Sequence, residues 1–297
     1  MSKRVIITGA SGLLGRAIYK QFKADSSWTT LGLAFSRTKG ELVKCDLTDK
    51  QAVTELVQEF KPQVIIHSAA ERKVDMIEKD PEAAKKTNID ATQYICEAAE
   101  AVGAWVVYIS TDYVFDGTSP PYSITVKPNP LNLYGKSKLD GENITLEANI
   151  GNSVLRVPIL YGEIESLDES AITVLFSKVK DTGHQAPMCN YQRRFPTHCD
   201  DVAYVLLSLA DRRLEKGNVS GIYHWSNNEN VTKFDMAVTM ATCFHLPTSH
   251  IIPDESGSGS ANRPHNAQLD CSRIEKLGIC KRTAFKEGIT NVLKPFV

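Results

Sequence analysis

Several things are scarce in this sequence, and each absence excludes a class of protein. None of the 297 residues belongs to an apolar run approaching the roughly 18 residues of a membrane-spanning helix. The apolar stretch Val5–Ile7 is too short for the core of a signal peptide and runs straight into glycines. The seven cysteines are an odd number with no C-x-x-C pair, which argues against a disulfide framework and against the common zinc spacings. Reduced, mostly buried thiols in the cytoplasm, or in the nucleus, are the expectation. A net charge of -1 leaves no broad cationic face for nucleic acid. The three tryptophans and seven histidines show no ligand spacing, so no metal site is expected and they are read as packing. There are no internal repeats. What remains is 42% hydrophobic and 23% charged, enough for one large globular domain or a large and a small one.

The most informative stretch comes first. Arg4 to Thr8 reads as a buried strand, because Val5, Ile6 and Ile7 form an unbroken β-branched run. Gly9, Gly12 and Gly15 follow in the pattern G-x-x-G-x-x-G, with Ser11, Leu13 and Leu14 between them, and a helix is expected from about Gly12. Such spacing lets the chain turn sharply, lets its backbone approach a pyrophosphate and packs helix on strand. The helix N-terminus then offers free N–H groups to the phosphates. This points to a dinucleotide site.

Thr30 to Phe35 reads as the second strand, and an acidic residue is missing just after it. An NAD site wants a carboxylate there for the ribose 2′-hydroxyl, whereas an NADP site wants arginine. Ser36, Arg37, Thr38 and Lys39 supply two hydroxyls and two cations, which favours NADP(H), and Arg16 could assist. Val43 to Leu47 reads as a third strand. Asp46 either meets the adenine amine or caps the next helix, Gln51 to Phe60. Val64 to His67 is another buried strand, and Ser68, Ala69 and Ala70 leave room above its end. Arg72 reaches the phosphates or sits at the rim. Asp80-Pro81 starts a helix through Ala101, and Trp105 to Ile109 is the next strand. Alternating strands and helices with short connections imply an α/β fold with a doubly wound parallel sheet of Rossmann type.

Ser110-Thr111-Asp112 leaves that sheet at its carboxyl end. Tyr134 and Lys138, four residues apart, share one face of the next helix. A tyrosine near its ordinary value of about 10 is a poor acid–base at neutral pH. A nearby ammonium from Lys138 is expected to lower it, with Thr111 hydrogen-bonding a substrate oxygen. These three are the catalytic candidates if the chain is a reductase.

The segments TGASGLLG (8–15), STDYVFDG (110–117) and YGKSK (134–138) resemble the extended short-chain dehydrogenase/reductase superfamily over essentially the whole chain. STDYVFDG, PLNLYGKSKLDGE and RPHNAQLD (263–270) are similar to its dTDP-4-dehydrorhamnose reductase branch. Within that branch, HSAAERKVD (67–75), LRVPILYGEIE (155–165), YQRRFPTH (191–198), IYHWSNNE (222–229) and LDCSRIEKLGI (269–279) resemble the regulatory beta subunits of methionine adenosyltransferase. That resemblance implies an NADP(H)-binding protein without activity of its own. Its partner would be the catalytic subunit that makes S-adenosylmethionine, not nucleic acid or membrane. By position it implies cofactor contacts at Ser11 to Leu14, Phe35 to Arg37, Asp46, Leu47, Ser68, Arg72, Tyr134, Lys138 and Leu160. Vertebrate-like forms carry a docking tail past the position of Pro295-Phe296, where this chain stops at Val297.

The second half reads less clearly. Ser153 to Val157 is a sixth strand, Ser170 to Val179 a helix, and Gly183 to Thr197 irregular, with Gln192-Arg193-Arg194 toward a cleft. Asp201 to Leu209 is a helix returning to the large domain, and Ile222 to Trp225 a strand. Thr232 caps a helix through Phe244 with Phe234, Ala237, Val238 and Ala241 as its stripe. Ser256 to Ser260 is a flexible loop over the cleft. The expected division is a cofactor domain over 1–157, completed by about 196–225, and a smaller interleaved α/β lobe over 158–297.

Overall fold

The structure is a computed structural model and describes residues 2–257 and 262–297. The first half alternates β1 (Lys3–Thr8), α1 (Leu13–Lys23), β2 (Trp28–Ala34), β3 (Val43–Lys44), α2 (Lys50–Phe60) and β4 (Val64–His67). Short helices α3 (Val74–Lys79) and α4 (Pro81–Lys85) lead into α5 (Ala91–Val102), β5 (Trp105–Thr111), α6 (Leu133–Ala148) and β6 (Ser153–Val157). The second half holds β7 (Leu160–Tyr161), α7 (Leu175–Lys180), β8 (Ala186–Cys189), β9 (Thr197–His198), α8 (Cys199–Lys216) and β10 (Gly221–His224). It ends with α9 (Lys233–Cys243), β11 (Ile251–Asp254), α10 (Ser272–Glu275) and α11 (Phe285–Leu293).

Seven parallel strands form the central sheet in the order β10-β6-β5-β4-β1-β2-β3. Chain order runs outward in opposite directions from β1 and β4, and the crevice between those two is where open sheets of this kind take ligands. The central strands are apolar because both faces are covered. Val5, Ile6, Ile7, Val64, Ile65 and Ile66 are fully buried. Residues Cys199 to His224 leave the second half to complete the sheet, α8 packing on α1 and β10 pairing with β6. A separate buried cluster includes Tyr161, Phe176, Met236, Met240, Phe285 and Ile289.

Several expected elements are adjusted. The third strand stops at Lys44, because Asp46 turns the chain by accepting from the Thr48 N–H (2.9 Å) and hydroxyl (2.7 Å). Asp49, not Asp46, caps α2, accepting from the Gln51 and Ala52 N–H groups. The helix expected from Pro81 through Ala101 contains a π turn over Lys86–Asp90. There the buried Asn88 binds both the N–H (2.8 Å) and the carbonyl (3.0 Å) of Glu71. The helix expected from Ser170 begins at Leu175, after a 3-10 turn over Leu167–Glu169. The region expected to be irregular, Gly183 to Thr197, holds β8, which pairs in parallel with β11. Helix α9 buries Met236, Ala237, Met240 and Ala241, with Phe234 and Val238 only partly covered, so its deep face lies to one side of the expected stripe. The expected Gly-Ser loop falls largely on 258–261, outside the described residues.

Candidate functional site

The crevice is built from the first turn outward. Gly9 has φ +67, and Gly12 N donates to Gly9 O at 2.8 Å, closing the turn between β1 and α1. A Cβ on Gly15 would stand 2.0 Å from Gly9 O, so only glycine lets α1 sit this close to the turn. A Cβ on Gly9 would lie 2.8 Å from Ala69 Cα. Gly12 caps α1 without a side-chain acceptor, and no acid lies in the first turn. That end therefore keeps its donors and its partial positive charge for an outside anion.

Thr8 fastens β1 to β4 beneath this turn. Its hydroxyl meets His67 Nδ1 at 2.7 Å and accepts from the Ser68 and Ala69 N–H groups, while Ser68 Oγ donates to Thr8 O at 2.6 Å. Burial drops His67 to about 3, so it is a neutral bridge from Thr8 to Thr92. At the end of β2 stand Phe35, 60% exposed, then Ser36 and Arg37. Asp46 and Leu47 follow β3. Leu160 lies in β7, its carbonyl accepting from Ser170 Oγ at 2.8 Å.

The cations are arranged in a way the sequence does not announce. Arg37 Nη1 meets Glu169 at 2.6 Å and Glu165 at 3.3 Å, and Lys39 meets Glu165 at 3.1 Å. Arg16 binds Glu169 at 2.7 Å and donates to Ser11 O, while Arg72 donates to Glu169 O. A cavity of about 680 Å³ runs along the outer side of α1 from Ser11 past Arg16 and Tyr19, between Arg37, Leu42 and Glu165. Thr111, Tyr134 and Lys138 are not among its lining residues.

On the other side of the crevice, Asn132 caps α6 by accepting from Gly135 N (2.8 Å), and Gly135 lets that helix approach Tyr113 O. Tyr134 and Lys138 sit one turn apart near the buried Thr111. The expected electrostatics do not hold. Lys138 is buried, its Nζ 4.0 Å from the centre of the Tyr108 ring, and loss of water lowers it to about 7 despite Glu142. Burial raises Tyr134 to about 12, with Asp112 and Tyr113 adding to the rise and Thr111 and Arg72 opposing it. For Tyr134 burial therefore outweighs the opposing Thr111 and Arg72, and the Lys138 ammonium lies over the Tyr108 ring. Asp112 is pushed up to about 6 by burial, against the pull of Arg194. Arg194 is itself buried, donating to Pro264 O at 3.1 Å and lying 5.6 Å from the Tyr113 ring centre.

Two groups of residues in and around this site are given no role by the sequence, although Glu142, Arg156, Glu163 and Glu165 lie inside segments that carry the resemblance. One is Glu142 with Arg156, both side chains 2% exposed, joined at 2.6 and 2.8 Å beside Ser110. The signal was present: an arginine inside the buried strand SVLRV requires a buried acid. The other is the acidic run after Gly162, which alternates Glu163 and Glu165 before Asp168 and Glu169.

The cradle fits a phosphorylated nicotinamide dinucleotide. Its turn has no room for side chains at Gly9 and Gly15, the end of α1 carries no acid, and cations follow β2. Among the described residues no group of His, Cys, Asp and Glu is placed to hold a metal ion, and no helix is long and apolar enough to cross a membrane.

Comparison with known proteins agrees with this architecture. Methionine adenosyltransferase 2 subunit beta of Mus musculus is 50% identical over 297 residues, spanning all of this chain and 89% of that protein. The dTDP-4-dehydrorhamnose reductase of Aggregatibacter actinomycetemcomitans is 30% identical over 97% of this chain and 98% of its own. Among solved structures, the dTDP-4-dehydrorhamnose reductase of Bacillus anthracis in complex with NADP superposes with a TM-score of 0.85, at 28% identity, covering 99% of this chain and 98% of that one. The family model of the RmlD substrate binding domain matches residues 3–297, and with a relative 50% identical across all of this chain, the protein belongs to that family, within the extended short-chain dehydrogenase/reductase fold.

Proposed function

We propose that this protein is an NADP(H)-binding regulatory subunit of methionine adenosyltransferase, joining the catalytic subunit and tuning its output of S-adenosylmethionine. The observation that carries this reading is the 50% identity to a beta subunit across the whole chain. The cofactor would supply hydride-carrying chemistry if it reacts. Gly9, Ser11, Gly12, Leu13, Leu14 and Gly15 would receive its pyrophosphate, and Phe35, Ser36 and Arg37 its phosphorylated ribose. Asp46, Leu47, Ser68, Ala69, Arg72 and Leu160 would line its path, and Tyr134 and Lys138 its nicotinamide end. The cofactor-binding unit would comprise residues 1–157, completed by about 196–225, and the rest of 158–297 would form the smaller, interleaved partner lobe.

The test is size-exclusion chromatography of this chain mixed with a methionine adenosyltransferase catalytic subunit, with and without NADPH, followed by steady-state kinetics. Co-elution with altered kinetics is expected; two separate peaks under both conditions refute the reading. A second reading, reductase activity on a dTDP-4-keto sugar, is favoured by Thr111, Tyr134 and Lys138 lying together and by the 30% identical reductase. With Tyr134 at about 12 and Lys138 off the phenol, that acid–base pair is poorly tuned for neutral pH. NADPH oxidation on adding the keto sugar would decide for the reductase.

A further inference from the structure

The segment joining β7 to α7 carries four acids within seven residues: Glu163, Glu165, Asp168 and Glu169. Three of them lie on cations contributed by the first forty residues. Glu169 spans Arg16 (2.7 Å) and Arg37 (2.6 Å), Glu165 spans Arg37 (3.3 Å) and Lys39 (3.1 Å), and Glu163 reaches Lys20 (3.1 Å). The main chain joins in, since Arg16 Nη2 donates to Glu163 O at 2.9 Å and Arg72 donates to Glu169 O. Glu165 N donates to Glu169 Oε2 at 2.8 Å, so the segment is folded around its own buried carboxylate. Burial works against the charge on Glu169, yet the Arg16 hydrogen bond, this N–H and Arg37 together hold it at about 2.

These donors are the ones a ribose 2′-phosphate would need. Arg37 points a single nitrogen, Nη1, at both Glu165 and Glu169, so a phosphate arriving at that guanidinium meets a charge already countered by two carboxylates, with only Nη2 and Nε left to donate. A nucleotide with a plain 2′-hydroxyl has no such requirement. Resting on the cofactor reading above, we propose that residues 163–169 form an acidic strap that competes inside the molecule with the 2′-phosphate. NADP(H) then gains more of the charge of Arg37, and that of Lys39, as Glu165 releases them, and NAD(H) is indifferent to the strap. A site open for only part of the time binds more weakly by that fraction, so the strap sets both apparent affinity and the choice between the two nucleotides. Glu165 is the residue to alter, because it is 44% exposed and its loss leaves the buried Glu169 in place.

The experiment is calorimetric titration of NADPH and NADH into the intact protein and into Glu165→Gln. It is paired with hydrogen exchange of the intact protein with and without NADPH. Exposed ion pairs of this kind are weak, so NADPH should bind about two- to five-fold tighter to the variant, with NADH changed by less than about 1.5-fold. Saturating NADPH should slow exchange at residues 9–15 and speed it at 163–169. Unchanged or weaker NADPH binding by Glu165→Gln overturns the strap while leaving the cofactor reading intact. So does equal tightening of both nucleotides, or slowed exchange at 163–169. If the unaltered protein binds neither nucleotide and residues 9–15 gain no protection, the cofactor reading itself fails and the strap falls with it.

Discussion

Replacing Arg156 by methionine tests how the nicotinamide end of the crevice is held. Arg156 Nε and Nη2 grip both oxygens of Glu142 at 2.8 and 2.6 Å, and Ser110 Oγ adds a hydrogen bond at 2.5 Å. Glu142 belongs to α6, which carries Tyr134 and Lys138; Ser110 precedes Thr111 in β5; Arg156 lies in β6. The pair thus ties together the three elements that position the candidate catalytic residues. Both side chains are 2% exposed, so removing the cation strands a carboxylate with one hydroxyl for company. Breaking such a buried pair costs about 3–5 kcal/mol. At about 2–4 °C per kcal/mol for a chain of this size, the thermal midpoint should fall by roughly 6–20 °C. Glu142→Leu should cost at least as much, because it leaves Arg156 beside His224 at 3.3 Å, a ring that burial keeps neutral. The double variant Glu142→Leu/Arg156→Met replaces the pair with apolar volume and should return to within about 1–2 kcal/mol of the parent. Thermal and urea unfolding of all four proteins supplies the cycle. If each single variant loses under about 1 kcal/mol, or the double loses the sum of both, the pair does not hold these elements together.

Three other outcomes follow from the geometry. Arg37→Ala should weaken NADPH by about five- to thirty-fold in calorimetry, since a half-exposed guanidinium–phosphate contact falls between the attractions of about 1 and 4 kcal/mol for surface and partly shielded charges. NADH should change less than about two-fold, and equal losses would remove Arg37 from the phosphate. Gly15→Ala would put a Cβ 2.0 Å from Gly9 O, so it should abolish dinucleotide binding and lower the thermal midpoint, while Gly183→Ala, with only Asp181 Oδ1 nearby at 3.6 Å, should do neither. Because burial lowers Lys138 from 10.5 to about 7, the unfolded chain binds more protons between those values and stability rises with pH across that window. Thermal midpoints measured at pH 7 and about pH 9 should show the rise, and Lys138→Met should flatten it.

The sheet was legible because its signals are local. Val5–Ile7 and Val64–Ile66 can only be buried strands, and the glycines at 9, 12 and 15 have a close neighbour or a positive φ to explain them. The π turn at Lys86–Asp90 was not legible, since it depends on Asn88 finding Glu71 in a loop seventeen residues earlier. Nor was the short third strand, ended by one Asx turn at Asp46. At the site, position was easier to read than electrostatics. The i, i+4 spacing placed Tyr134 and Lys138 on one face, but the ammonium turned to Tyr108, a partner thirty residues upstream. The acids at 163–169 look like a solvated run in isolation, and only the fold sets them against Arg16 and Arg37.

The late return of α8 and β10 to the sheet bears on how the protein is made. The edge strand that covers β6 is complete only at residue 224, and α8, which shields α1, arrives just before it. During synthesis the amino-terminal strands must wait, with α1 uncovered, until some seventy further residues have left the ribosome. A chain cut after Val157 would keep every residue of the glycine turn and still lack a wall of its own core. Expressing the first half alone is therefore expected to yield aggregate instead of a miniature nucleotide binder.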